Sequence, residues 1–323
     1  MSQVRSLWWA RRVPGLKEPF DTAHLRVFYP ARHTGSAAER LTGEVPADPS
    51  RAPYPVVLLL PGINIGQDAY RWLAIALAEK GLVTVTADLV GELFAGSHGL
   101  TPAVDLDAAS PAGYGSRPTT PLIAALLAAV GELAARAPLD GLLDLDRVAL
   151  GGHSAGGTVA LQSAGFTPGV RAVFTYGAHT LVASMLGWPR GTVLPVSGTA
   201  PVMLLSGETD GVIAASTDRY GGECAADPVE RTFAEALRDA DGAHVWARLT
   251  GAGHFTPCDP HDPTSARGFL ERPGGAQHSA RALLARLVTL FCATHLRSDT
   301  TAGGALRSLL VPPHPGLALV RRR

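Results

Sequence analysis

The sequence predicts an α/β fold, a doubly wound, mostly parallel sheet with helices on both faces. Three observations predict it. Short runs of β-branched and aliphatic residues alternate with segments of helical spacing along most of the chain. Several of those runs are apolar at nearly every position, as a strand covered on both faces must be. Most of the runs end in a cluster of glycine and polar residues, and the ligand crevice of such a sheet lies beyond the carboxyl ends of its strands.

Taken in order, HLRVFYP (24–30) reads as the first strand, and the Ala-, Pro- and charge-rich stretch 31–53 as a surface loop. YPVVLLL (54–60) reads as a buried parallel strand that stops at Pro61-Gly62. Residues 67–80 have helical spacing through Trp72, Leu73, Ala76 and Leu77, and Gly81 ends them. LVTVTAD (82–88) is the next strand, and 91–119, with several glycines and prolines, is a loop. Thr120-Pro121 opens a helix whose stripe is Leu122, Ile123, Leu126, Leu127, Val130 and Leu133. Further strands are expected at 147–152, 171–177, 201–207 and 244–250, with helices at 155–164, 229–240 and 278–296. One domain over 1–298 is expected, with a candidate lid at 211–228 and a tail at 299–323.

Composition excludes several classes. The 323 residues are 46% hydrophobic and carry formal net charge +0, so nothing points to a nucleic-acid partner. The amino terminus lacks the apolar core of a signal peptide, and no apolar run is long enough to span a membrane. Three scattered cysteines, Cys224, Cys258 and Cys292, do not form a disulfide framework, although a Cys224–Cys258 bond stays open. A cytoplasmic protein is the expectation. Trp8, Trp9 and the terminal VRRR hint at a membrane surface, but scattered aromatics and basic tails are ordinary.

GGHSAGG (151–157) places Ser154 where a strand turns into a helix, with Gly152 and Gly156 completing G-x-S-x-G. Glycine tolerates the dihedrals and crowding of such a turn. A serine hydroxyl needs a base to take its proton, and the base needs a carboxylate to hold its tautomer. Asp210, in SGETDGVI, and His254, in GAGHF, each follow a predicted strand, and the order Ser154, Asp210, His254 suits this chemistry on an α/β sheet. Glu208 is the competing acid. The oxyanion donors are expected to be the backbone N–H groups of Ala155 and of Ile63, in PGINIG, with the Asn64 amide as the alternative. Asn64 and His179, past the 171–177 strand, are candidate substrate contacts, and His153 is expected to pack within the elbow. GHFTPCDPHDP (253–263) clusters His254, Cys258 and His261, but without helical pairing or C-x-x-C spacing. A proline-rich wall behind His254 is expected there, with no metal and no cofactor.

With these motifs the chain resembles the α/β-hydrolase superfamily over most of residues 20–296. The segments VVLLLPGINIGQDAYRWLAIALAEKGLVTVTADL, DRVALGGHSAGGTVAL, PVMLLSGETD and GAGHF are similar to the branch of dienelactone hydrolases, chlorophyllases, platelet-activating-factor acetylhydrolase-like enzymes and cutinase-like polyester hydrolases. The resemblance implies a fold of the α/β-hydrolase type and a cofactor-free carboxylic-ester hydrolase acting on a small-molecule ester. In it Ser154 matches the nucleophile, Asp210 the acid, His254 the base, and Ile63 and Ala155 the oxyanion donors. The alternatives are acyl transfer or lactone formation in a biosynthetic pathway, and a non-catalytic binding module on the same fold.

Overall fold

The computed structural model describes residues 3–93, 96–215, 227–238, 243–262, 264–265, 270, 277–311 and 313–323. The strands are β1 (Gln3–Arg12), β2 (Thr22–Ala31), β3 (Tyr54–Leu60), β4 (Val83–Asp88), β5 (Val90–Glu92), β6 (His98–Leu100), β7 (Leu143–His153), β8 (Val170–Tyr176), β9 (Val202–Gly207), β10 (Val245–Leu249) and β11 (Leu317–Arg322). The helices are α1 (Ala37–Thr42), α2 (Arg71–Glu79), α3 (Leu122–Leu133), α4 (Ala155–Ser163), α5 (Gly211–Ala214), α6 (Pro228–Arg231), α7 (Gln277–Arg297) and α8 (Thr300–Leu309).

The main sheet has the order β1-β2-β4-β3-β7-β8-β9-β10-β11. Neighbours from β4 through to β10 are parallel, whereas β1, β2 and β11 join antiparallel at the two sides. The result is a mixed α/β fold with a large, mostly parallel sheet. Alternation along the strands divides the interior in two. Val56, Leu58, Leu60, Val148 and Leu150 point into a core shared with α3 and α4. Val57, Leu59, Ala149, Phe174 and Leu205 point into a second core against α2, α7 and α8. A strand buried on both faces has to be apolar at successive positions, and every residue of β3 is buried.

The connections locate the crevice. The chain leaves β3 through α2 to β4 on one side, then crosses back through α3 to β7 on the other. The strand order therefore reverses between β3 and β7, and a crevice opens beyond their carboxyl ends.

Three expectations need correction. The stretch 299–323 is not a tail: Asp299 caps α8 through the Ala302 N–H at 2.9 Å, Leu306 and Leu309 are buried, and β11 pairs with β10. The loop at 91–119 contains β6, which pairs with β5 in a small hairpin. The expected helix at 229–240 is α6 followed by a wider turn over Thr232–Ala236, and the backbone is extended at Leu237. Beyond these, β1 is a strand that the sequence pattern does not mark. Most of the candidate lid, and Cys224 with its pairing, lie outside the described residues.

Candidate active site

The elbow begins with β7, whose last residue is His153, and α4 starts at Ala155. Ser154 alone makes the turn, at φ 53° and ψ −124°, a conformation that an L-residue adopts only when its surroundings impose it. The surroundings are the glycines. A Cβ on Gly152 would lie 2.4 Å from the Gly156 carbonyl carbon and the Gly157 nitrogen, and one on Gly156 would lie 2.4 Å from the Leu60 oxygen. No other residue fits at either position while the helix start is pressed onto the end of β3. The Ser154 N–H donates to the Tyr176 oxygen at 3.0 Å, so the strained residue is also anchored to β8.

Ser154 opens into a cavity of about 380 Å³ beyond the strand ends, which His254, Ile63 and Ala155 also line. His254 lies in the loop after β10. Its Nδ1 is 2.9 Å from Asp210 Oδ2, and the two side chains are 3% and 7% exposed. With Nδ1–H donating to the carboxylate, the imidazole keeps its Nε2 lone pair. Asp210 is held in turn, because its Oδ1 accepts the Ile213 N–H at 2.8 Å as the cap of α5. Glu208 faces elsewhere. Its Oε2 accepts the Gly251 N–H at 2.9 Å, and Thr209 donates through its N–H to the Ala252 oxygen at 2.9 Å. The acid loop thus fastens the loop that carries His254, and Glu208 serves that fastening. Gly177, at φ 59°, is the floor under the pair: a Cβ there would lie 2.8 Å from His254 Nδ1 and 3.2 Å from Asp210 Oδ2.

Three backbone donors of the loop after β3 are used. The Gly62 N–H donates to Tyr70 Oη at 3.0 Å, Asn64 N–H to the Leu100 oxygen at 2.8 Å, and Ile65 N–H to the Gly62 oxygen at 3.3 Å. Among the described residues no acceptor takes the Ile63 N–H, nor the Ala155 N–H at the first position of α4. Both residues line the cavity, so two backbone donors remain available there.

His153 has a larger part than packing within the elbow. Its Nδ1 is 2.9 Å from Tyr70 Oη and its Nε2 is 3.0 Å from the His254 carbonyl oxygen. A carbonyl only accepts, so Nε2 carries the proton, and the Tyr70 hydroxyl donates to Nδ1 while accepting from Gly62. Burial holds His153 well below the usual histidine range, which keeps this neutral form. One line of hydrogen bonds therefore joins the loop of Ile63 to the loop of His254 behind Ser154.

Two expected substrate contacts separate. His179 lines the cavity, and burial pushes its imidazole down to about 4. Asn64 does not line it. Its left-handed backbone, at φ 56°, turns the amide to the hairpin, where Oδ1 accepts the Leu100 N–H at 3.1 Å. Away from the cavity lining, the Asn64 amide is not placed as an oxyanion donor either. Of the wall expected behind His254, Phe255 alone among the described residues faces the cavity, and Pro257 and Cys258 hold Trp72 and Arg281 through their carbonyls. Among the described residues no group of three His, Cys, Asp or Glu side chains is placed to hold a metal ion. No helix among them is long and apolar enough to cross a membrane.

The sequence pattern did not single out Gln162, Val104 or Ala109, which complete the cavity. For Gln162 a signal exists: Ala155, Thr158, Val159 and Gln162 recur at helical spacing on one face of α4, the face that begins at the elbow. No protein-family model matches the chain, and no curated protein sequence matches it either.

Proposed function

We propose that this chain is a serine hydrolase that cleaves carboxylic esters through an acyl-enzyme, on a fold of the α/β-hydrolase type. One observation carries the reading. A serine in a strained strand-to-helix elbow shares a cavity with a histidine whose Nδ1 is held by a buried carboxylate. In the mechanism, Ser154 Oγ attacks the ester carbonyl carbon and His254 Nε2 takes the hydroxyl proton. The carbonyl oxygen gains the negative charge and is met by the Ile63 and Ala155 N–H groups, the latter at a helix start where the dipole favours an anion. Collapse of the intermediate breaks the bond to the alcohol, which leaves with the proton from His254. Water repeats the sequence on the acyl-enzyme and regenerates Ser154. Asp210 stays ionised, holds the tautomer and stabilises the imidazolium.

The fold type is supported by the placement of parts, with nucleophile after β7, acid after β9 and base after β10. The substrate class is supported by the walls. Ile65, Val159, Leu181, Val182, Val212 and Phe255 make the cavity largely apolar, as the hydrocarbon part of an ester requires. The test is labelling by a fluorophosphonate probe together with hydrolysis of p-nitrophenyl esters of graded length. Wild type is expected to do both and Ser154→Ala neither, with an unchanged thermal melt. Full activity in the folded variant would refute the reading.

A further inference from the structure

We infer that the cavity takes an ester carrying a second polar group, a hydroxyl, ketone or amide, and that Gln162 recognises it. This deepens the esterase reading and rests on it. Gln162 lies on α4 eight positions beyond Ser154, about 12 Å along the axis at the α-helical rise. It lines the cavity and is 6% exposed. Among the described residues its amide makes no hydrogen bond. Nor is either amide atom sealed away, since the fully buried unpaired polar atoms do not include them.

Two other buried polar side chains behave differently. Ser163, the next residue and wholly buried, accepts the Thr119 N–H at 3.1 Å. Gln67, the other buried glutamine, donates to Asp88 and to the His24 oxygen and accepts from Thr86. The other buried glutamine is thus paired at both amide atoms. A largely buried amide in the wall of an apolar cavity, without a protein partner, is costly unless something in the cavity bonds to it. Val159, Leu181 and Val182 offer no such group, so the partner is water or the substrate. A glutamine amide both donates and accepts, and so matches a neutral polar group rather than a charge.

The test compares matched esters in two arms: p-nitrophenyl alkanoates against their ω-hydroxy counterparts, and alkyl butyrates against ω-hydroxyalkyl butyrates, at graded chain lengths. The readout is the ratio of kcat/KM between partners within each enzyme, so a general change in rate cancels. Wild type is expected to favour the hydroxylated partner roughly fivefold at one length in one arm, the worth of a single neutral hydrogen bond. Gln162→Met, close in volume and without the amide, is expected to erase or reverse that preference. Gln162→Asn, which withdraws the amide by one methylene, is expected to move it to a longer chain. Indifference of the wild type in both arms, or a preference that survives in Gln162→Met, overturns the inference. An enzyme that hydrolyses no ester and resists the fluorophosphonate probe sinks the esterase reading instead, so the two failures are distinct.

Discussion

Gly177→Ala is the most direct perturbation of the His254–Asp210 pair, since it adds one methyl group and touches neither residue's chemistry. Gly177 follows β8 at φ 59°, and forcing an L-residue there costs about 1–2 kcal/mol through the backbone alone. The added Cβ would also lie 2.8 Å from His254 Nδ1 and 3.0 Å from Cε1, where ordinary contact begins at 3.4 Å. The imidazole must therefore retreat by about 0.6 Å, the difference between 2.8 and 3.4 Å. It cannot do so without stretching the 2.9 Å bond to Asp210 Oδ2, which lies 3.2 Å from the same Cβ. Misplacement on the scale of 1 Å costs on the order of 100-fold in rate. Gly141→Ala supplies the control. That glycine has φ 68° and open space around it, so it carries the backbone cost without the clash. The assay pairs kcat on p-nitrophenyl butyrate with a thermal melt for both variants. Both are expected to lose about 1–2 kcal/mol of stability, and Gly177→Ala alone to lose roughly 100-fold in kcat. A Gly177→Ala enzyme with wild-type kcat would refute the claim that this pair, held in this position, does the chemistry.

The remaining expectations concern the acid, the hydrogen-bonded line behind the serine, and pH. Asp210→Asn should lower kcat by several orders of magnitude, because the amide favours the wrong tautomer of His254. Glu208→Gln should act mainly on stability, and a crippled Glu208→Gln beside a mild Asp210→Asn would reverse the assignment. Tyr70→Phe orphans the buried Gly62 N–H and His153 Nδ1 together. It should cost about 2–4 kcal/mol in a urea titration and lower kcat more than it raises KM. His179 has a folded value pushed down to about 4 by burial, below the unfolded 6.5. As pH falls from 6.5 to about 4, the unfolded chain takes up a proton that the folded one refuses. Stability is therefore complete above pH 6.5 and falls through that window, by about 3 kcal/mol at most for this residue. His179→Leu should flatten the corresponding part of the urea midpoint against pH, and an unchanged slope would count against it.

How much of this was legible in the sequence follows from the range over which each feature is determined. The YPVVLLL run could be placed because a strand buried on both faces writes its burial into consecutive residues. The elbow was legible for a related reason: Gly152 and Gly156 are required by contacts with chain only a few residues away or with the end of one neighbouring strand. By contrast, β1 has no fully buried residue, and the half-burial that alternates from Leu7 to Arg12 falls on Leu, Trp and Arg alike, so its place is set by pairing along the whole of β2. The segment 299–323 looked like a tail because β11 is an edge strand with charges at its end, so local pattern carries little of its burial.

The site divides along the same line. Chemistry at the carboxyl ends of parallel strands leaves a residue at each strand end, so the G-x-S-x-G motif, strand-end position and chain order together pointed to Ser154, Asp210 and His254. Asn64 also lies past a strand end, yet its positive φ turned the amide onto Leu100, a contact across 36 positions that no local rule contains. The Tyr70–His153 bond spans 83 positions, and the His153 bond to the His254 carbonyl spans 101. Such pairs are brought together by the sheet and tie the loops that carry the strand-end residues. Specificity is still less local. Val104, Gln162 and Val182 come from separate elements, and each is an ordinary apolar or helical residue until the fold sets them around one cavity. Strand-end reasoning therefore leads as far as the proposed reaction class, while any choice among esters would depend on walls that are assembled from several separate elements.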